Sequence, residues 1–82
     1  MNIKCVVAVT NSNGSPDFHP VIVECTEKQM EHGHHYDAAK DASAEMGFEP
    51  YLVYDEKEIP FNEKFMTLFD WTEVQTVTAI TP

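Results

Sequence analysis

The sequence predicts an α+β fold, a two-layer sandwich with one mostly antiparallel four-stranded sheet and helices on one face of it. Two observations lead to this fold class. Short segments rich in β-branched residues surround an Ala-rich segment with helical apolar spacing, and the elements follow the order β-β-α-β-(short α)-β. A chain of 82 residues has room for one thin core, so we expect a single domain, 1–82.

The first two strands form a predicted hairpin. Residues 3–10 and 18–25 are rich in β-branched side chains, and the polar loop between them contains an Asn-Gly pair. If the position numbers of opposed residues sum to about 30, Cys5 lies opposite Cys25 on the core face. We interpret both cysteines as buried thiols, and a disulfide or redox pair is the alternative.

A helical region follows the second strand. Thr26 and Gln29 match a capping box, which predicts a helix start, and Gly47 predicts the C-cap. Gly33 lies between them and costs about 1 kcal/mol relative to alanine, so one bent helix and two shorter helices both remain open. The residues expected to share the buried helical face are Tyr36, Ala39, Ala42 or Ser43, and Met46.

A third strand, a short helix and a fourth strand complete the expected order. One face of the third strand is expected to carry Phe48, Pro50, Leu52 and Tyr54, and the opposite, partly solvated face Glu49, Tyr51, Val53 and Asp55. Asn62 is placed to cap a short helix that contains Phe65, Leu68 and Phe69. Residues 72–81 are dense in Thr and Val and predict the last strand. The pattern does not determine the strand order.

Charge is the strongest functional signal. The chain has 14 Asp and Glu, five Lys and no Arg, and its formal net charge is −9. Such a surface repels nucleic acid and anionic membranes, so we predict neither as a direct partner. The absence of Arg also removes the side chain best suited to bidentate recognition of phosphate or carboxylate.

An acidic stripe is the first candidate site. Asp37, Asp41 and Glu45 recur every four residues and therefore lie along one line of the predicted helix. A solvated helix face is the ordinary interpretation of such a stripe. The functional interpretation is a docking surface for a basic protein partner, with Trp71 as an aromatic anchor at the interface.

A histidine cluster is the second candidate site. The side chains of His32, His34, His35 and Glu31 are of types that bind Zn, Ni or Cu. Adjacent histidines on a helix diverge by about 100°, however, and no second ligand pair such as Cys-x-x-Cys is present. The ordinary interpretation is a solvent-facing polar segment, and a pH-sensitive surface is a third possibility.

The sequence contains no catalytic motif of the kinds that bind phosphate, activate a serine or hold catalytic zinc. We therefore predict a small, acidic, non-catalytic protein-binding module without a cofactor. Its specific form is an inhibitor or modulator of a basic, nucleic-acid-handling partner, of the type found among phage and mobile-element proteins. The alternatives are a metal-binding module that uses the histidine cluster and a homo-oligomeric structural component such as a homodimer. The short apolar N-terminal stretch does not match a secretory signal, so we expect a cytoplasmic protein.

Overall fold

The computed structural model describes residues 1–57 and 67–79. In this part of the chain the elements are β1 (Asn2–Thr10), β2 (Pro16–Glu24), α1 (Glu27–Glu31), α2 (His34–Glu45), β3 (Glu49–Asp55) and β4 (Thr76–Thr78). The sheet has the order β3-β1-β2-β4, in which β1 pairs antiparallel with β2 and β3, and β4 pairs parallel with β2. The predicted α+β class with a mostly antiparallel sheet is confirmed.

The hairpin forms with a tighter loop than the sequence predicted. Thr10 already pairs with Pro16, and the Asn11 side chain closes the loop by accepting hydrogen bonds from the backbone N–H groups of residues 13 and 15. In this register Cys5 lies opposite Val21, so the predicted opposition of Cys5 and Cys25 is wrong. Both cysteines are buried and free, in agreement with their interpretation as core thiols.

The predicted faces of β3 are right in its first part and wrong in its second. Phe48 packs against the core, as expected. The register with β1 then shifts just after Pro50, because one extra residue enters β3 as a β-bulge. From that point the two faces exchange places, so Val53 and Asp55 are buried and Leu52 is exposed.

The core lies between the sheet and α2. Alternate residues of β1 and β2 face the helix, where the small side chains of Ala39 and Ala42 allow close approach. Met46 was predicted in this core but is exposed, because it lies at the C-cap beyond the last core-facing turn. His35 is buried instead. The opposite face of β1 is covered as well, since Val6 and Ala8 are also buried.

Of the two arrangements that the sequence left open, the structure has two separate helices, α1 and α2. The Thr26–Gln29 capping box starts α1 as predicted, and Gly33 then adopts the left-handed conformation (φ 76°) that turns the chain into α2. At the far end Gly47 has φ 92°, and the Phe48 N–H donates to the Ser43 carbonyl in a Schellman motif. The helical region is divided into α1 and α2 because the glycine between them lets the chain change direction.

The last part of the fold is less regular than the sequence predicted. The expected short helix begins at Asn62 and includes Phe65, both outside the described residues, and residues 67–75 form turns and bends. Asp70 accepts hydrogen bonds from the backbone and hydroxyl of Thr72, and this turn keeps the segment out of the sheet. The strand is therefore confined to Thr76–Thr78 instead of residues 72–81. None of the helices in the described ranges has the length and apolarity that membrane crossing requires.

Candidate functional site: an acidic groove beside a sheet edge

The acidic stripe lines a groove between α2 and β4, which we call the acidic groove. Its helical wall carries Asp37, Asp41 and Glu45, and its other wall is formed by Val77 and Thr78. The groove has a volume of about 160 Å³. The three predicted stripe residues are thus brought to one concave surface, which the helical spacing alone did not establish.

The orientation of α2 explains this placement. Ala42 and Ser43 are buried against the sheet, so the stripe is turned sideways toward β4. Lys40, the one lysine on α2, lies on the other flank beside Leu52 and Val53 of β3. Within residues 1–57 and 67–79 the three stripe carboxylates form no ion pair. Their negative charge is therefore directed at whatever enters the groove.

β4 is an edge of the sheet in the described part of the chain. The carbonyl of Gln75 accepts from Ile22, and the N–H of Ala79 donates to Glu24, so alternate backbone groups of this segment face β2. The intervening backbone groups of Thr76 and Thr78 point away from β2. This edge offers hydrogen-bonding groups to an added strand.

Trp71 lies away from the acidic groove. Its ring is 5.5 Å from the Lys4 Nζ, and it packs edge-on against Phe69 with ring centroids 5.8 Å apart. Lys4 alternates along β1 with residues that face the helices, so Trp71 covers the opposite face of the sheet. The structure does not combine Trp71 and the stripe into one surface.

The predicted histidine cluster is divided by the joint between the helices. His32 caps α1, His34 begins α2 and lines the acidic groove, and His35 turns into the core. Glu31 is exposed at the end of α1. Among the residues that the structure describes, no three His, Cys, Asp or Glu side chains converge to hold a metal ion. The convergence that the metal-binding alternative requires is not observed among these residues, because Gly33 interrupts the helix and the side chains point in different directions.

The buried His35 belongs to a polar cluster that the sequence analysis missed. Its Nε2 is 3.2 Å from Asp55 Oδ2, the Tyr36 hydroxyl donates to the same oxygen at 3.3 Å, and the Lys57 N–H donates to Oδ1 at 2.8 Å. These contacts, the polar cluster, tie the start of α2 to the end of β3. The bulge in β3 produces them by turning Asp55 inward, and the sequence carries no local signal for that bulge.

The polar cluster is largely closed to solvent. His35 is 2% exposed, and the small pocket beside Asp55 has a volume of about 50 Å³. A space of that size holds no more than a few water molecules. The role that this geometry supports is structural: the cluster provides hydrogen-bond partners to a carboxylate that the sheet register places in the core.

A second unpredicted contact joins α2 to β2. His19 Nδ1 is 2.8 Å from the Ser43 hydroxyl, which also donates to the Ala39 carbonyl. Burial lowers the pKa of the His19 imidazole below its ordinary value, and the nearby Asp17 carboxylate opposes this shift. Burial likewise raises the pKa of the Cys25 thiol, with the N-terminal ammonium acting in the opposite direction. At neutral pH His19 is therefore uncharged and Cys25 protonated.

Comparison with protein families, curated proteins and solved structures finds no match to this chain. A function for the acidic groove must therefore be argued from its own residues.

Proposed function

We propose that this protein binds an extended, basic segment of a partner protein in the acidic groove, as a non-catalytic module that uses no cofactor. The observation that carries the proposal is the placement of three carboxylates along a groove whose second wall is β4. Within residues 1–57 and 67–79 these carboxylates form no ion pair and β4 is an edge of the sheet. Opposite charge on the partner would steer the encounter, and backbone pairing at the edge would hold the segment.

The spacing of the stripe favours a particular side-chain pattern in the partner. Successive carboxylates on α2 lie four residues apart, which is a rise of about 6 Å along the helix. Alternate side chains of an extended strand are separated by about 6.6 Å. A strand added to the edge of β4 with lysine or arginine at every second position would therefore bring one cation to each carboxylate.

The shape of the site also bears on the kind of partner. A protein that imitates a nucleic-acid backbone needs a protruding row of negative charge, whereas these carboxylates line a concave groove. A basic arm or strand of a nucleic-acid-handling protein matches the groove better than does the wide basic surface on which a duplex lies. While the acidic groove holds such an arm, the arm is not available to nucleic acid. Binding would therefore modulate or inhibit nucleic-acid binding by the partner. We place this activity in the cytoplasm, where buried free thiols stay reduced.

A defined peptide tests the proposal. We expect a peptide of alternating lysine and threonine to bind the protein and to bind more weakly as salt increases, measured by fluorescence anisotropy. The triple substitution Asp37→Asn, Asp41→Asn and Glu45→Gln should weaken binding by about tenfold or more, since about 1.4 kcal/mol corresponds to tenfold.

A matched control removes the same charge elsewhere. Glu31, Glu49 and Glu56 are exposed and line neither wall of the groove, so changing all three to Gln removes the same amount of negative charge as the stripe variant does. We expect this control to retain most of the affinity. Equal losses in both triple variants, or no binding of the peptide to the unchanged protein, would overturn the proposal.

The homo-oligomer alternative predicts the opposite effect of neutralising the stripe. If the edge of β4 paired with a second copy of the chain, the stripes of the two copies would repel each other. Neutralising the stripe would then strengthen association, which sedimentation equilibrium would detect. Basic-segment binding instead requires that neutralisation weaken the complex.

A further inference from the structure

A second concavity lies at the C-terminal end of α2, and we call it the apolar cleft. Its volume is about 390 Å³, and its lining consists of His19, Pro20, Met46, Leu68, Phe69, Asp70, Glu73, Val74 and Gln75. Leu68 is 74% exposed and Met46 is 59% exposed, the highest values among the large apolar side chains that the structure describes. Both lie at the same cleft, and such clustering of exposed apolar surface is typical of interaction sites.

The groove and the cleft are lined by neighbouring stretches of the sequence on both sides. Glu45 of the groove is followed directly by Met46 of the cleft. On the other side, Gln75 of the cleft comes two residues before Val77 of the groove. The helix therefore runs from groove to cleft while β4 runs from cleft to groove, so a strand added antiparallel to β4 would run from Asp37 toward the cleft.

His19 gives one wall of the cleft a defined hydrogen-bonding character. The buried Ser43 hydroxyl has one proton, which it donates to the Ala39 carbonyl. Both contacts of this hydroxyl are satisfied when His19 Nδ1 carries the ring proton and donates to Ser43 Oγ. The ring is then fixed in orientation, and its Nε2 remains as an acceptor in the wall.

We infer that the apolar cleft takes a large apolar side chain of the bound segment, placed after the basic residues in the direction of its chain. This inference rests on the proposed function and adds the order of the partner motif, basic-x-basic-x-basic-x-apolar. Antiparallel pairing is slightly more stable per residue than parallel pairing, and the polarity of β4 then sets the direction of the added chain. The two-residue step carries the next side chain about 6.6 Å beyond the partner of Glu45. A tryptophan suits the cleft best because its indole N–H can donate to the Nε2 of His19.

Two peptides of equal composition test the order. The forward peptide is Lys-Thr-Lys-Thr-Lys-Thr-Trp, and the reversed peptide places the tryptophan first. We expect the forward peptide to bind about fivefold or more tightly than the reversed one, in the range that a single interface anchor supplies. The substitutions Met46→Ser and Leu68→Ser should together remove this advantage, and both side chains are exposed, so the fold is retained.

Leu52→Ser is the matched control, because Leu52 is an exposed apolar side chain on β3 that does not line the cleft. It should leave the forward advantage unchanged. Equal affinity of the two peptides, with binding still dependent on the stripe carboxylates, would overturn the inference and leave the proposed function standing. Tighter binding of the reversed peptide would likewise overturn the inferred order. If neither peptide binds, the proposed function falls together with it.

Discussion

The two flanks of α2 use carboxylates in opposite ways. Toward β3, Asp55 is buried and accepts hydrogen bonds from His35, Tyr36 and the backbone of Lys57. Toward β4, the stripe carboxylates are exposed and form no ion pair within the described residues. The same chemical group is thus buried between helix and sheet on one flank and exposed to solvent on the other.

This difference follows from burial and partners and not from residue type. A carboxylate taken out of water is tolerated only when donors replace its hydration, and the donors to Asp55 include His35, Tyr36 and the backbone N–H of Lys57. The stripe carboxylates remain hydrated, and they repel one another slightly. Substitutions on the two flanks should therefore change the free energy of unfolding by different amounts and with opposite sign.

The largest effect is expected for Asp55→Ala. Removing the shared acceptor leaves three buried or half-buried donors without it, which should lower the free energy of unfolding by about 3–5 kcal/mol. Asp55→Asn keeps one acceptor oxygen and the side-chain volume, so it should lose less, about 1–3 kcal/mol. Urea denaturation measures both variants. The exposed Asp41→Ala is the control and should change stability by less than about 0.5 kcal/mol. A comparable loss in Asp41→Ala and Asp55→Ala would contradict the distinction between the flanks.

An intermediate loss of stability is expected at Gly33, the joint between α1 and α2. Gly33 has φ +76°, and a Cβ added there would lie 3.4 Å from the Tyr36 ring. Gly33→Ala should therefore lower the free energy of unfolding by about 1–2 kcal/mol. Asn accepts the left-handed conformation more readily, so Gly33→Asn should cost less. Thermal and urea unfolding would test this order, and an alanine variant as stable as the parent would show that the joint does not need glycine.

Neutralising the stripe is expected to change the free energy of unfolding least, and to increase it. Neutralising Asp37, Asp41 and Glu45 removes like-charge pairs at four-residue spacing and should raise stability by a few tenths of a kcal/mol per pair. The gain should shrink in high salt because screening already weakens the repulsion. Urea denaturation at two salt concentrations measures it. A clear loss of stability would mean that the carboxylates hold the fold together and are not reserved for a ligand.

Much of the local structure could be predicted from the chain. The hairpin, the capping box at Thr26 and the C-cap at Gly47 depend on residues close together in sequence, and all three are confirmed. The line formed by the stripe follows from helical geometry in the same way. The prediction that Met46 is buried is wrong, because apolar spacing along a helix does not show where its contact with the sheet ends.

The arrangement of the candidate site depended on contacts between distant residues. The bulge in β3 has no local signature, yet it decides that Asp55 meets His35 and that Leu52 faces outward. Likewise, the parallel pairing of β4 with β2 places beside the stripe a strand that is the sheet edge in the described part of the chain.

By itself, the sequence determined the α+β class, the start of α1, the end of α2 and the net negative charge, because these depend on composition and on spacings of a few residues. Only the tertiary structure decided which carboxylate is buried, which line a groove, and which elements form the walls of that groove. Those outcomes arise from strand register and strand order, which are selected by the packing of the whole sheet against one helix and not by any short segment.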